Sequence, residues 1–179
     1  MTIEQKQCLL RYLGHYRGAI DGIWGKQSTA ATRKFQESQG LTPDGVFGAD
    51  TETAILAAIC REEDTWWDRI EFFQPEEFSC RCGRFCSGYP AQPDRVLVQC
   101  ADGLRRQLGV PITVSSGLRC PRHNANVGGV ANSRHLRGKA MDFCAAGKTS
   151  DQILALVQNL PEVRYAYAID SHYVHMDVD

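Results

Sequence analysis

No stretch of this sequence approaches the roughly 18 consecutive apolar residues that a membrane-crossing helix needs. The opening M-T-I-E-Q-K-Q-C-L-L also lacks the basic-then-apolar layout of a secretory leader, so the chain as it stands is not expected to leave a cell by the general secretory route. Neither sign of charge is in excess: 20 Lys and Arg against 21 Asp and Glu leave a formal net charge of -1. A protein that grips duplex DNA through its phosphates needs a basic surface, and that class is disfavoured. What is present suits a packed globular chain, with 43% hydrophobic and 23% charged residues over 179 positions, enough for one domain or two small ones.

The first third is a duplication. Residues 21–25 read D-G-I-W-G and residues 44–48 read D-G-V-F-G, an offset of 23 that aligns the aspartate, both glycines and an apolar pair. Asp-Gly supplies a turn in which glycine can take positive φ, and Trp24 or Phe47 can then fold onto a core. Ser28 and Thr51 follow the turns and are expected to be helix N-caps. Helical spacing recurs in Cys8, Leu9, Tyr12 and Leu13, in Ala30, Ala31 and Phe35, and in Ile55, Leu56 and Ile59. Three short helices joined by two similar turns are predicted over about residues 3–60.

The strings Y-R-G-A-I-D-G-I-W-G, T-A-A-T-R-K-F-Q and G-L-T-P-D-G-V-F-G, in that order, resemble the three-helix peptidoglycan-binding domain of cell-wall hydrolases. That resemblance implies docking to glycan or stem peptide, with Trp24 and Phe47 read as core and binding left to exposed groups near the turns.

Residues 61–68, R-E-E-D-T-W-W-D, break the helical pattern and mark a junction, dividing the chain into residues 1–60, a linker over 61–71 and a second domain over 72–179. Trp66 and Trp67 are expected to pack the domains together or cover the second core, ahead of a role as an exposed sugar-stacking platform. Of the eight cysteines, Cys80, Cys82 and Cys86 crowd into seven residues, spaced by one and three. Metal knuckles usually leave two residues between paired cysteines, which makes a structural zinc the weaker reading. Disulfides to Cys100, Cys120 or Cys144 stay open, and structural roles outweigh catalytic ones.

The chemistry concentrates further on. From Thr113 the chain reads T-V-S-S-G-L-R-C-P-R-H-N-A-N-V-G-G-V-A-N-S-R-H-L-R-G-K-A-M-D-F, and it closes with Y-V-H-M-D-V before the last residue. Residues 139–144 alternate as a strand, with Ala140, Asp142 and Cys144 on one face and Met141 and Phe143 on the other. The same period in residues 173–178 puts His175 and Asp177 on one face. Adding His135 from the loop before the first strand, two imidazoles and a carboxylate can meet at one metal ion and leave a fourth tetrahedral position open, the pattern of a catalytic rather than a structural zinc.

Taken whole, these strings closely resemble the zinc D-Ala-D-Ala carboxypeptidases and L-alanyl-D-glutamate endopeptidases of the LAS metallopeptidase group, from about Phe72 onward. The resemblance implies an α+β domain whose small antiparallel sheet holds Zn2+ through His135, Asp142 and His175. It further implies that Arg119 contacts a substrate carbonyl or carboxylate, and that Ser133 hydrogen-bonds at the rim. The family's general base, an acid three residues before the last ligand, is replaced here by His172, with Asp170 two positions earlier; His172 is expected to act as base or transition-state donor with Asp170 orienting it. The expected protein is a monomeric zinc peptidase that cuts stem peptides of bacterial peptidoglycan while anchored to the wall. It would be released in the manner of a phage endolysin or exported as a mature form. A non-catalytic wall-binding protein, favoured only by His172, is the alternative.

Overall fold

The structure, a computed structural model, describes residues 1–59, 64–83, 86, 88–89 and 92–179. Cys60 and residues 61–63 of the expected junction lie outside the described residues.

Three helices open the chain: α1 (Ile3–Tyr12), α2 (Lys26–Ser38) and α3 (Ala49–Ile59). Thr2 and Gln5 form a capping box on α1. Leu10, Ala31, Phe35, Ile55 and Ile59 supply the buried faces, and Trp24 meets Phe47 edge-on at 5.9 Å. Leu56, at 47% exposure, is outside this core.

The expected caps are corrected here. α2 begins after Gly25, which offers no side-chain cap, and Ser28 and Thr51 lie buried within α2 and α3. Each faces a buried glutamine that reads the preceding turn. Gln7 donates through Nε2 to Asp21 Oδ1 at 2.9 Å, to the Ile23 carbonyl at 3.0 Å and to Ser28 Oγ at 3.4 Å, while its Oε1 accepts from the Gly22 amide. Gln36 repeats the pattern with Asp44, Val46, Thr51 and the Gly45 amide. A four-way amide satisfies more of the buried polar groups of each turn than a one-bond cap could, which is why the hydroxyls turn inward.

The second core begins at the 3₁₀ helix Asp64–Arg69: Trp66 is buried in it and stacks on Trp67 at 4.5 Å. Helix α4 (Arg95–Leu108) follows, N-capped by Asp94 and ended by Gly109 in the left-handed region. Then come β1 (Ile112–Ser116), α5 (Pro121–Asn126), β2 (Ala140–Ala145), α6 (Ser150–Val157), β3 (Val163–Ala168) and β4 (Val174–Val178). The four strands form one antiparallel sheet in the order β1-β2-β4-β3. The architecture is thus α+β.

One face of the sheet is apolar. Met141, Phe143, Val174, Met176 and Val178 are fully buried and share a core with Leu97, Val98 and Leu104 of α4 and Ile153 and Val157 of α6. At roughly 1.5–3 kcal/mol for each large side chain removed from water, that layer fixes which way the strands face. The residues that alternate with it are held on the other face.

Candidate active site

The sheet register assembles the site. Asp142 of β2 pairs directly with His175 of β4, His175 pairs with Tyr167 of β3, and Asp142 pairs with Ser116 of β1. Directly paired residues in an antiparallel sheet bring their side chains about 5 Å apart on one face, so Ser116, Asp142, His175 and Tyr167 form a row across the sheet. His135 arrives from the 3₁₀ turn Arg134–Arg137, which Gly138 ends at positive φ before β2 begins. Ligand-type atoms of His135, Asp142 and His175 all lie within 4.8 Å of one another.

Each imidazole is held by a group outside the trio. His135, only 2% exposed, has Nδ1 2.7 Å from the Gly117 carbonyl. A carbonyl only accepts, so Nδ1 carries a proton, and Nε2 faces Asp142 Oδ1 at 3.3 Å. His175 places Nδ1 2.7 Å from the same oxygen, its Nε2 lies 3.4 Å from Asp177 Oδ2, and Tyr167 stacks on its ring at 4.9 Å. Asp177 is buried and receives a two-pronged bond from Arg164, 2.8 Å at each oxygen.

Burial alone pushes the Asp142 carboxyl up. Hydrogen bonds from His135 and His175, with the charges of His135 and Arg119, outweigh it and hold Asp142 well below the usual carboxylate range. The group is therefore an anion throughout the neutral range, as a metal-binding carboxylate must be. Arg119 forms an ion pair with Asp142 and is pinned by its Nε, which donates to Ser116 Oγ at 2.7 Å.

A pocket of about 500 Å³ opens over this row; Arg119, Ser133, His135, Asp142, His175 and Tyr167 are among its walls. His172 and Asp170 are not. They belong to the exposed loop between β3 and β4, where Asp170 Oδ1 accepts from the amides of His172 and Tyr173 at 2.8 Å each, and His172 Nδ1 lies 2.8 Å from Ser171 Oγ. Those amide bonds lower the Asp170 pKa. Asp170 thus fixes the backbone of His172 rather than its ring.

Sequence reasoning placed Asp177 on the face of His175 but gave it no task; the H-x-D spacing was the available signal. In the sequence Gly117 is one residue of the string S-S-G-L-R. A Cβ there would come 2.5 Å from the Phe78 carbonyl oxygen and 2.7 Å from its Cα, and Leu118 donates to that same carbonyl at 2.7 Å. Gly117→Ala is expected to lower stability by about 1–3 kcal/mol through this backbone clash, read as a drop in Tm, and to weaken metal binding because the carbonyl that orients His135 must shift.

Two imidazoles and one carboxylate gathered on a sheet face at an open pocket are the donor set of a mononuclear metal centre. Comparison with known families agrees with that class: the Peptidase M15 model matches residues 71–177, and the chain belongs to that family. A peptidoglycan binding domain model matches residues 2–55. The zinc D-Ala-D-Ala carboxypeptidase of Streptomyces albus G is 32% identical over 145 residues, covering 78% of this chain and 54% of that protein. The spore cortex-lytic enzyme of Bacillus cereus is 39% identical over 63 residues, 35% of this chain and 24% of that enzyme. The chain therefore spans about half the length of the carboxypeptidase it matches and about a quarter of the cortex-lytic enzyme.

Proposed function

We propose that this protein is a zinc peptidase that hydrolyses stem-peptide bonds of bacterial peptidoglycan while its first domain holds it on the wall. The observation that carries this reading is the row Asp142–His175 with His135 beside it, three ligand-type groups within 4.8 Å at a pocket that also presents Arg119. Two independent likenesses support one substrate, a peptidase family over the second domain and a peptidoglycan-binding domain over the first.

In this proposal Zn2+ is held by His135 Nε2, an Asp142 carboxylate oxygen and His175 Nδ1. When bound, zinc acidifies water and polarises a scissile carbonyl, supplying hydrolytic chemistry at neutral pH. The chain's own groups do the rest. Arg119, ionised at all relevant pH and braced by Ser116, takes a carbonyl or terminal carboxylate of the peptide. Ser133 offers a hydroxyl on the wall of the same pocket. His172, exposed on the β3–β4 loop outside the pocket wall, is proposed to take the proton of the attacking water by turning its ring into the pocket, while Asp170 holds only its backbone. Anchoring to an insoluble polymer raises the local concentration of peptide.

Asp177 is assigned the orientation of His175 in this scheme. Asp177→Asn is expected to weaken zinc affinity by about 10–100-fold, measured by competition with a chromophoric chelator, with a smaller change in fold stability. For the base, replacing His172 by alanine is expected to lower kcat by about 10²–10⁴ with little change in KM. If His172→Ala and the double variant with Asp170→Ala both hydrolyse at the parental rate, the assignment fails.

The reading as a whole is tested by incubating the full chain with purified walls and, separately, with a D-Ala-D-Ala-ended peptide, before and after chelation, and identifying released ends by mass. Release of D-alanine marks a carboxypeptidase, and new internal ends mark an endopeptidase. Bound zinc without release from either substrate would overturn the peptidase reading in favour of a wall-binding protein.

A further inference from the structure

A second gathering of metal-binding side chains lies away from the pocket just described. The sulfurs of Cys80, Cys82, Cys86 and Cys120 all lie within 4.8 Å of one another, with Cys82 and Cys86 at 3.4 Å. Cys80, Cys86 and Cys120 are buried. Three of these thiols fall within seven positions of the sequence, and the Cys80 amide donates to the Gly88 carbonyl at 2.7 Å. The fourth comes from 34 positions beyond Cys86, directly after Arg119.

We propose that these four cysteines bind a structural zinc ion as thiolates, separate from the metal of the pocket. Tetrahedral zinc with bonds of about 2.3 Å to sulfur sets its ligands about 3.8 Å apart, a spacing the cluster reaches with small side-chain movements. A closed set of four sulfurs with no position left for water is the mark of a structural rather than a catalytic site. The surroundings suit thiolates: the Cys120 amide donates to Cys80 Sγ at 3.2 Å, the His123 amide donates to Cys120 Sγ at 3.3 Å, and His123 Nδ1 lies 3.3 Å from Cys80 Sγ. Hydrogen bonds of this kind orient metal ligands and stabilise their charge. Two disulfides would use the same residues, but they draw sulfurs into separate pairs near 2.05 Å; here all four share one centre.

The ion would do two things for this fold. It would tie Cys80, Cys82 and Cys86 to Cys120 and so fix the backbone next to Arg119. It would also stiffen the surface on which α1 rests: Cys8 of α1 is buried in the same cluster of side chains, Tyr12 packs edge-on against Tyr89 at 5.8 Å, and Tyr12 Oη donates to the Gln92 carbonyl at 3.0 Å. Cys8 is a neighbour here, not a ligand.

The test uses the full chain expressed with cobalt(II) in place of zinc, in the parent and in His175→Ala, which removes the metal of the pocket under the function proposed above. Only thiolate ligands give an intense near-ultraviolet sulfur-to-cobalt charge-transfer band. The expected result is that band in both proteins, one equivalent of metal remaining in His175→Ala, and protection of the four thiols from alkylation until the metal is stripped. Cys82→Ser and Cys120→Ser, each removing one of four thiolates, are expected to weaken the band and loosen the metal, and Cys8→Ser to leave both unchanged. Absence of the band from folded His175→Ala, or recovery of Cys80, Cys82, Cys86 and Cys120 as disulfides in peptide mass maps, overturns the proposal. Because the readout is a spectrum in a protein stripped of its pocket metal, it is independent of whether the chain is a peptidase.

Discussion

Replacing His175 by alanine is expected, under the proposed function, to remove the pocket metal and cut hydrolysis of wall peptides by roughly three orders of magnitude or more, since a metal held there would both activate water and stabilise charge in the transition state. The variant should remain folded. His175 is 9% exposed and lies on the polar face of β4, while the apolar face of that strand, Val174, Met176 and Val178, is untouched. Removing one imidazole does leave Asp142 with one partner fewer, so a modest loss of stability accompanies the loss of metal. Metal content, rate and circular dichroism measured together on one preparation separate these effects. A His175→Ala protein that holds its zinc and turns over normally would falsify the ligand assignment.

The second large effect is expected at Arg119. Arg119→Ala should lower kcat/KM by about 10²–10³, the usual cost of removing a donor aimed at developing charge. Arg119→Lys should recover only part of that, because an ammonium cannot reproduce a planar fork braced by Ser116 while it faces Asp142. Steady-state kinetics on a soluble stem-peptide analogue, with zinc content checked in parallel, decide between a substrate role and a purely electrostatic one. If the arginine serves only to balance the Asp142 charge, metal affinity changes and the substrate dependence does not.

Much of the second domain's architecture could be read from period-two patterning. The alternation of Met141 and Phe143 with Ala140, Asp142 and Cys144 shows which face of β2 meets the apolar layer, and the same argument places His175 opposite Val174 and Met176. Alternation fixes faces but not partners. That Asp142 sits directly across from His175, and His175 across from Tyr167, is a matter of register, which depends on the whole apolar layer. The role of Asp177 was hidden for a similar reason, since its second partner, Arg164, is carried by a different strand.

The first domain shows another limit. The duplicated turns identified Asp21, Gly22, Asp44 and Gly45, and a hydroxyl just after each turn reads naturally as a cap. Gln7 and Gln36 occupy unequal distances from their turns, 14 and 8 residues before the aspartates, so no repeat in the text pairs them, yet they decide which way Ser28 and Thr51 face. The cysteines follow the same logic: spacings of one and three look wrong for a metal knuckle only while the search is confined to one loop, and Cys120 enters through tertiary structure.

The direct pairing of Asp142 with His175 has a consequence for how errors in folding would be felt. A slip of β4 by one residue against β2 would swing His175 and Asp177 into the oily layer and turn Val174 and Met176 toward water. No partly working site lies between the two arrangements. Insertions in the turn of residues 169–173 leave the strand register intact and disturb only the loop of His172, whereas a single added residue inside β4 would take His175 off the pocket face and break part of the hydrophobic layer in one step.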